Sequence, residues 1–355
     1  MGWVRSVRGV VLAMAGWGGF GQMAAAQDWF TAEACTTGEI RVWREVLPEA
    51  EEVRFAAIAA EVPNSLGRFW KITAPGGQVS WLWGTYHVPE RSILDLPEAL
   101  LAALEAADVV ALEFNPQPQD RAALIRSYDQ AWMWAPPDAE PDYREDFPPA
   151  VLTQIGERIA TFGWDPSYMA LMSDAGLFSL LLSDPCSDFS ASFMPGQDYF
   201  IAQTGWLAGA RVDGLQQPWA FGEELTAPHR SEAARAATLL YGLYLGPESA
   251  LPGARETSFA LYLQGRIGVM DAWSNAWPEQ VLGEARGRRV VELAEGYLLV
   301  ERNAIWMDRI RTLVDQGDAV IAVGASHLPG DLGLVSMIRD AGYQVERVVL
   351  PGEMG

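Results

Sequence analysis

Val79-Ser80-Trp81-Leu82-Trp83-Gly84-Thr85-Tyr86-His87 decides how this chain is read: a short apolar run, then a glycine, then a histidine three residues on. The same device returns at Ala319-Val320-Ile321-Ala322-Val323-Gly324-Ala325-Ser326-His327. The chain has 34 glycines and only 3 histidines in 355 residues. Chance alone would give about 0.3 Gly-x-x-His matches, so two matches, both at the ends of buried-type strands, carry information. Between them lies Asp108-Val109-Val110-Ala111-Leu112-Glu113-Phe114, a third apolar run ending in a carboxylate. A helix from Leu96-Pro97-Glu98 to about Ala106 separates the first and third runs, and strand, helix, strand in this order predicts a parallel crossover unit.

Working outward, Phe69 to Thr73 and Val79 to Trp83 flank Pro75-Gly76-Gly77 and read as a hairpin. Lys71, the only lysine, falls in the first of these strands, where an exposed or edge position is expected rather than covalent catalysis. Residues 115–148 break the rhythm with Asn115-Pro116-Gln117-Pro118 and the acidic, proline-bearing stretch Pro136 to Pro148, read as an insertion or lid with a helix near 120–133. Helical patterns then dominate, at roughly 149–162, 167–182, 197–208, 230–246, 256–266 and 288–316, with a short strand at Arg211-Val212-Asp213. Crossover grammar returns at the C-terminus with a strand at 319–323, a helix from Gly333 to Ala341 and a strand from Gln344 to Leu350. The expected fold is α/β: a mainly parallel sheet with flanking helices and a large helical insertion or cap.

The N-terminus carries Arg5 and Arg8, an apolar stretch from Val10 to Phe20 and Ala24-Ala25-Ala26, the layout of a secretory signal peptide over residues 1–26. The mature chain is therefore expected to be periplasmic or secreted and without a transmembrane segment, with an extension at 27–65 before the main domain at 66–355. Without the leader, 23 basic residues face 46 acidic ones, a formal charge of −23. Such a surface is a poor partner for nucleic acid, which is bound by clustered Lys and Arg. In an oxidising compartment the pair Cys35 and Cys186 is expected to form a disulfide.

In open parallel sheets ligands bind beyond the carboxyl ends of the strands. His87, His327 and Glu113 stand at such ends, and two imidazoles with one carboxylate make three ligands for a divalent ion with a position left open. The reaction class implied is hydrolysis, with Glu113 as ligand or general base. Manganese, cobalt and zinc each suit these donors. Gly84 and Gly324 are expected to let the chain turn and approach closely. Arg302, on the helix Leu298-Leu299-Val300-Glu301-Arg302-Asn303, can bind a substrate carboxylate or orient Glu113. His229 reads as a surface residue at a helix start, and Ser326, beside His327, is poorly placed to act as its nucleophile.

Trp81 to Val88, Ala107 to Glu113, Glu301-Arg302-Asn303 followed by Met307, and Val323 to Gly330 with Gly333-Leu334 and Gly342-Tyr343 occur in the order found in the TraB/GumN family, related to the TIKI metalloproteases. The chain resembles that family from about Gly67 to Leu350. The resemblance implies a core akin to erythromycin esterase-like and haem-binding ChaN-like proteins. It also implies a metal-dependent hydrolytic site for a peptide or similar amide or ester, built from the two glycine-histidine motifs and Glu113 with Arg302 and Asn303 nearby. Asp198, in Gly196-Gln197-Asp198, matches a family aspartate. One departure is Gly214-Leu215-Gln216, where the family usually has Gly-Leu-Glu, and this amide motivates the alternative of a non-catalytic metal- or haem-binding protein. A secreted interaction module with a vestigial site is the third reading.

Overall fold

The computed structural model describes residues 47–114, 120–182, 196–244 and 254–353. The expected leader, both cysteines of the expected disulfide and Asn115-Pro116-Gln117-Pro118 lie outside the described residues.

A six-stranded sheet is ordered β4-β3-β5-β2-β1-β6, with β1 at Phe69–Thr73, β2 at Val79–Thr85, β3 at Val109–Phe114, β4 at Arg211–Gln216, β5 at Ala319–Gly324 and β6 at Gln344–Arg347. β2 pairs with β5, and β3 with β5 and β4, in parallel; β1 runs antiparallel to β2 and β6. Five strands thus point one way and only β1 is reversed, which gives the α/β fold with a mostly parallel sheet. The hairpin turns through Gly77 at φ +88°, a left-handed conformation that favours glycine. β1 lies one strand in from the β6 edge, and Lys71 upon it is half-buried, which corrects the exposed or edge position expected for this residue.

Alternation along the strands builds two cores from one sheet. Val109 and Ala111 of β3, with Ile321 and Val323 of β5, pack on Trp306, Ile310 and Leu313 of the helix Arg302–Gln316 and on Leu334 and Ile338 of the helix Leu334–Asp340. Val110 and Leu112, with Val320 and Ala322, face Leu100 and Leu104 of the helix Glu98–Ala106 and Ile201 and Ala202 of the helix Gln197–Ala208. All six residues of β5 are buried. At about 1.5–3 kcal/mol per fully buried Val or Ile side chain, this strand is a principal anchor of the fold.

A separate helical core forms the cap, joining the helices Pro149–Thr161, Asp174–Leu181, Pro218–Leu225, Ser231–Tyr244 and Glu284–Glu295. The stretch read as a lid is pinned to this cap: Arg144 is buried, donates from Nε to Asp174 Oδ1 at 2.9 Å and from Nη1 to Met169 O at 2.7 Å. The helix read at 167–182 is two pieces, a 3-10 turn Pro166–Leu171 and the helix Asp174–Leu181, because Ser173 caps the second by accepting from Gly176 N. Between 120 and 133 the helix covers only Arg121–Ser127, followed by a turn at Ala131–Met133, and β6 stops at Arg347 rather than Leu350. Several helices escape sequence reading, among them Pro218–Leu225 and two that bear on the site and the extension. Ile267–Leu282 contains Pro278, which sequence logic takes as a terminator, and Glu49–Ala60 lies in the extension, where Phe55 and Ala59 pack with Phe259, Tyr262 and Met270. Among the described residues no helix is long and apolar enough to cross a membrane.

Candidate functional site

Strand register brings the motifs together. Thr85 at the end of β2 pairs with Gly324 at the end of β5, and Leu112 of β3 pairs with Ala322, so Glu113 emerges beside Gly324. His87 Nε2 stands 3.4 Å and His327 Nε2 3.7 Å from the same oxygen, Glu113 Oε1. Gly324 is required by close approach rather than by its backbone angle, which is an ordinary φ of −49°. A Cβ there would lie 2.9 Å from His87 Nε2 and 3.2 Å from Glu113 Oε1. At Gly84 a Cβ would meet Leu328 Cδ1 at 2.7 Å and Ala325 Cα at 3.0 Å, so that glycine keeps β2 seated against the second motif.

Each of these groups is held from behind. Asn303 Nδ2 donates to the carbonyls of His327 (3.2 Å) and Leu332 (2.9 Å), which turns its Oδ1 toward His327 as an acceptor. His327 Nδ1, 2.7 Å from that oxygen, therefore carries the proton, and Nε2 is a bare lone pair. Burial pushes the His327 pKa down to about 3, so the ring stays neutral. His87 Nδ1 lies 2.6 Å from Asp198 Oδ2, and Thr85 Oγ1 donates to Asp198 Oδ1 at 3.0 Å. Burial pulls His87 down, but the Asp198 and Glu113 carboxylates outweigh it and hold the imidazole well above its usual range. Its side chain is 51% exposed, so the site is open on this side.

Glu113 is anchored on both oxygens: Gly324 N donates to Oε1 at 2.7 Å and Arg302 Nη2 to Oε2 at 2.8 Å. Burial pushes its carboxyl up, yet Arg302 first, and the imidazoles after it, keep it well below the ordinary carboxylate range. Arg302 is itself buried, with its guanidinium 4.4 Å from the Trp306 ring centre and 4.9 Å from those of Phe114 and Phe221. Its Nε donates to Gln216 Oε1 at 3.4 Å. A π-helical turn, Gly296–Glu301, directly precedes it. Such turns often mark functional positions in helices, and here the turn leads into the residue that meets Glu113. Of the two roles read for Arg302, holding Glu113 is the one the contacts satisfy.

Sequence reading therefore named His87, Glu113, His327, Arg302, Asn303, Gln216, Gly84 and Gly324, and all eight meet at one strand-end cluster. His229 is exposed in the turn Pro228–Arg230 and does not line the cavity. Ser326 turns away from the imidazole of His327 and donates to Asp271 Oδ1 at 2.6 Å. Asp271 went unread because its helix did. Gln197 was quoted only as part of a motif: it is buried, its Oε1 accepts from Tyr86 N (3.0 Å), and the single proton of Tyr262 OH is shared between Gln197 Oε1 (2.9 Å) and Gly84 O (2.8 Å), which fixes the His87 loop.

The cluster opens into a cavity of about 910 Å³ between the sheet edge and the helical cap, lined by aromatic side chains such as Phe178, Phe221, Tyr241 and Trp273 and by Asp271 and Glu295. The model of the TraB/PrgY/gumN family matches residues 68–347, a span holding every one of these groups. The chain belongs to that family. No curated protein and no solved structure gave a significant match.

Proposed function

We propose that this TraB/PrgY/gumN family member is an exported, divalent-metal-dependent hydrolase of a peptide or similar amide or ester, with His87, Glu113 and His327 as the ion's ligands. The observation that carries the reading is the meeting of two imidazole Nε2 atoms at one carboxylate oxygen: Nε2 of the neutral His327 is a lone pair, and His87, held protonated by Asp198 and Glu113, would offer its Nε2 once an ion takes the place of that proton. Two ligands about 2.1 Å from one tetrahedral ion lie about 3.4 Å apart, close to the 3.4 and 3.7 Å separations here. Among the described residues no group of three or more His, Cys, Asp or Glu is placed so that it could hold a metal ion as it stands. The donor chemistry and the space left open by Gly324 are what support the reading. Outer-shell partners on both imidazoles, Asp198 and Asn303, fit the same design, since ligating histidines usually give their other N–H to such groups.

A divalent ion supplies Lewis acidity, polarising a scissile carbonyl and making water acidic enough to attack near neutral pH. The protein's own part is positional. With both oxygens held by donors, Glu113 stays ionised and serves as an anionic ligand rather than a carrier of protons. Asp198 and Asn303 fix the tautomers of His87 and His327, and the aromatic walls exclude water and take the apolar part of the substrate. Hydrolysis adds water oxygen to the carbonyl carbon and breaks the bond to the leaving nitrogen or oxygen; one water proton ends on the leaving group and the other on the product acid.

The test is metal analysis of the purified mature protein together with a peptide and ester hydrolysis screen, with and without chelator. Turnover that chelator abolishes and Mn, Co or Zn restores is the expected result. Stoichiometric metal without turnover would favour the binding protein, and neither metal nor turnover would end both readings.

A further inference from the structure

Several donors at the reacting rim are already engaged. Arg302 spends its N–H groups on Glu113, Gln216 and the Leu298 carbonyl, and the Gly324 amide is spent on Glu113. Thr85 donates to Asp198, Ser326 to Asp271, Tyr244 OH to Asn275 Oδ1 and Asn275 Nδ2 to Glu295. Acyl hydrolysis moves the carbonyl π electrons onto oxygen, and that oxygen needs a preorganised donor besides the ion.

Tyr241 lines the same cavity on the helix Ser231–Tyr244 and is half-buried, and no described group bonds to its hydroxyl. Its ring is gripped edge-on by Phe178 at 4.9 Å and by Tyr244 at 5.7 Å. Phe178 leans on Phe221 at 6.1 Å, and Phe221 lies against the Arg302 guanidinium, so a continuous aromatic stack fixes the phenol relative to the Glu113–Arg302 pair. We infer that Tyr241 is a further catalytic residue, whose hydroxyl donates a hydrogen bond to the substrate carbonyl oxygen as negative charge builds on it. Burial, then the Glu113 carboxylate, pushes the phenol up to about 12, so it keeps its proton at neutral pH and gives a hydrogen bond without giving up the proton. This rests on the hydrolase reading above and adds the electrophilic side of the same site.

The experiment compares wild type with Tyr241→Phe in the metal-loaded protein, measuring kcat, KM, the affinity for a phosphinic peptide as tetrahedral probe, and the affinity for the carboxylate product. Expected is a kcat lower by about 10²–10³-fold, phosphinate affinity weakened by a comparable factor, and KM and product affinity nearly unchanged. The melting temperature stays the same, because the lost hydroxyl has no partner among the described residues. A Tyr241→Phe enzyme with wild-type kcat and phosphinate affinity overturns the inference and leaves the hydrolase reading standing. So does a higher KM with intact kcat, which would make the hydroxyl a ground-state contact. If wild type neither turns over any substrate nor binds the phosphinate, both fall together.

Discussion

Replacing Gly324 by alanine separates the site from the fold. The backbone there has φ −49° and ψ 137°, which alanine adopts freely, and the amide that binds Glu113 is retained. Rigidifying the unfolded chain favours Gly324→Ala by about 0.4–1 kcal/mol. Against this, the new methyl falls 2.9 Å from His87 Nε2, 3.2 Å from Glu113 Oε1 and 3.5 Å from His327 Cδ2, in the middle of the three donors. Reaching ordinary van der Waals distance moves the His87 ring by about 0.5 Å or more. Overpacking costs roughly 1–3 kcal/mol, at the low end here because the half-exposed ring can swing into the cavity. The net stability change is thus about 0–2 kcal/mol, read as the unfolding midpoint in chelator. Metal affinity should fall by about 100-fold or more, on the order of 2.7 kcal/mol, read by titrating Mn, Co and Zn into metal-free protein. Gly84→Ala is the contrasting case: its methyl meets Leu328 and the Ala325 backbone, so it should cost stability without filling the gap. A Gly324→Ala protein that binds metal as wild type does would refute the reasoning, whatever its melting point.

Arg302→Met should destabilise the protein by about 3–5 kcal/mol in urea unfolding, because it leaves the buried Glu113 carboxylate without its cation. Adding Glu113→Gln to that variant should recover part of the loss, and simple additivity of the two changes would argue against a coupled pair. Asp271→Asn should act through pH. Burial raises the Asp271 carboxyl to about 7, above its unfolded value near 3.8, so ionisation costs the folded state stability as pH rises from 4 to 7. The asparagine variant should match wild type at pH 4 and exceed it at pH 8, by at most about 4 kcal/mol; equal stability at pH 8 would show that the carboxylate is well solvated when charged.

The convergence of the site was legible because it follows from strand order. Once three apolar runs are read as parallel neighbours, Gly84, Glu113 and Gly324 must share one rim, and the histidines follow three residues on. Tertiary contacts hid the rest. Asp271 and Trp273 sit on a helix whose apolar positions face several partners at once and which carries Pro278, so no clean period announces it. Tyr241 looks in sequence like one more core aromatic, and what sets it apart is a hydroxyl without a partner among the described residues. Asp198 shows its role through Thr85 and His87, more than a hundred residues earlier.

The amide at position 216 is best understood through Arg302. Gln216 Oε1 accepts from Nε, while Glu113 takes Nη2 on the other side of the same guanidinium. A glutamate at 216 would add a second buried anion to that cation and loosen its hold on Glu113. With glutamine, Arg302 and Glu113 neutralise one another and the guanidinium is still satisfied at Nε. Gln216 is bonded to Arg302 rather than to either imidazole, so exchanging acid for amide changes the charge behind the ligands and not their number. The substitution therefore bears on how strongly Glu113 is held ionised, and Gln216→Glu should weaken that hold while leaving His87 and His327 where they are.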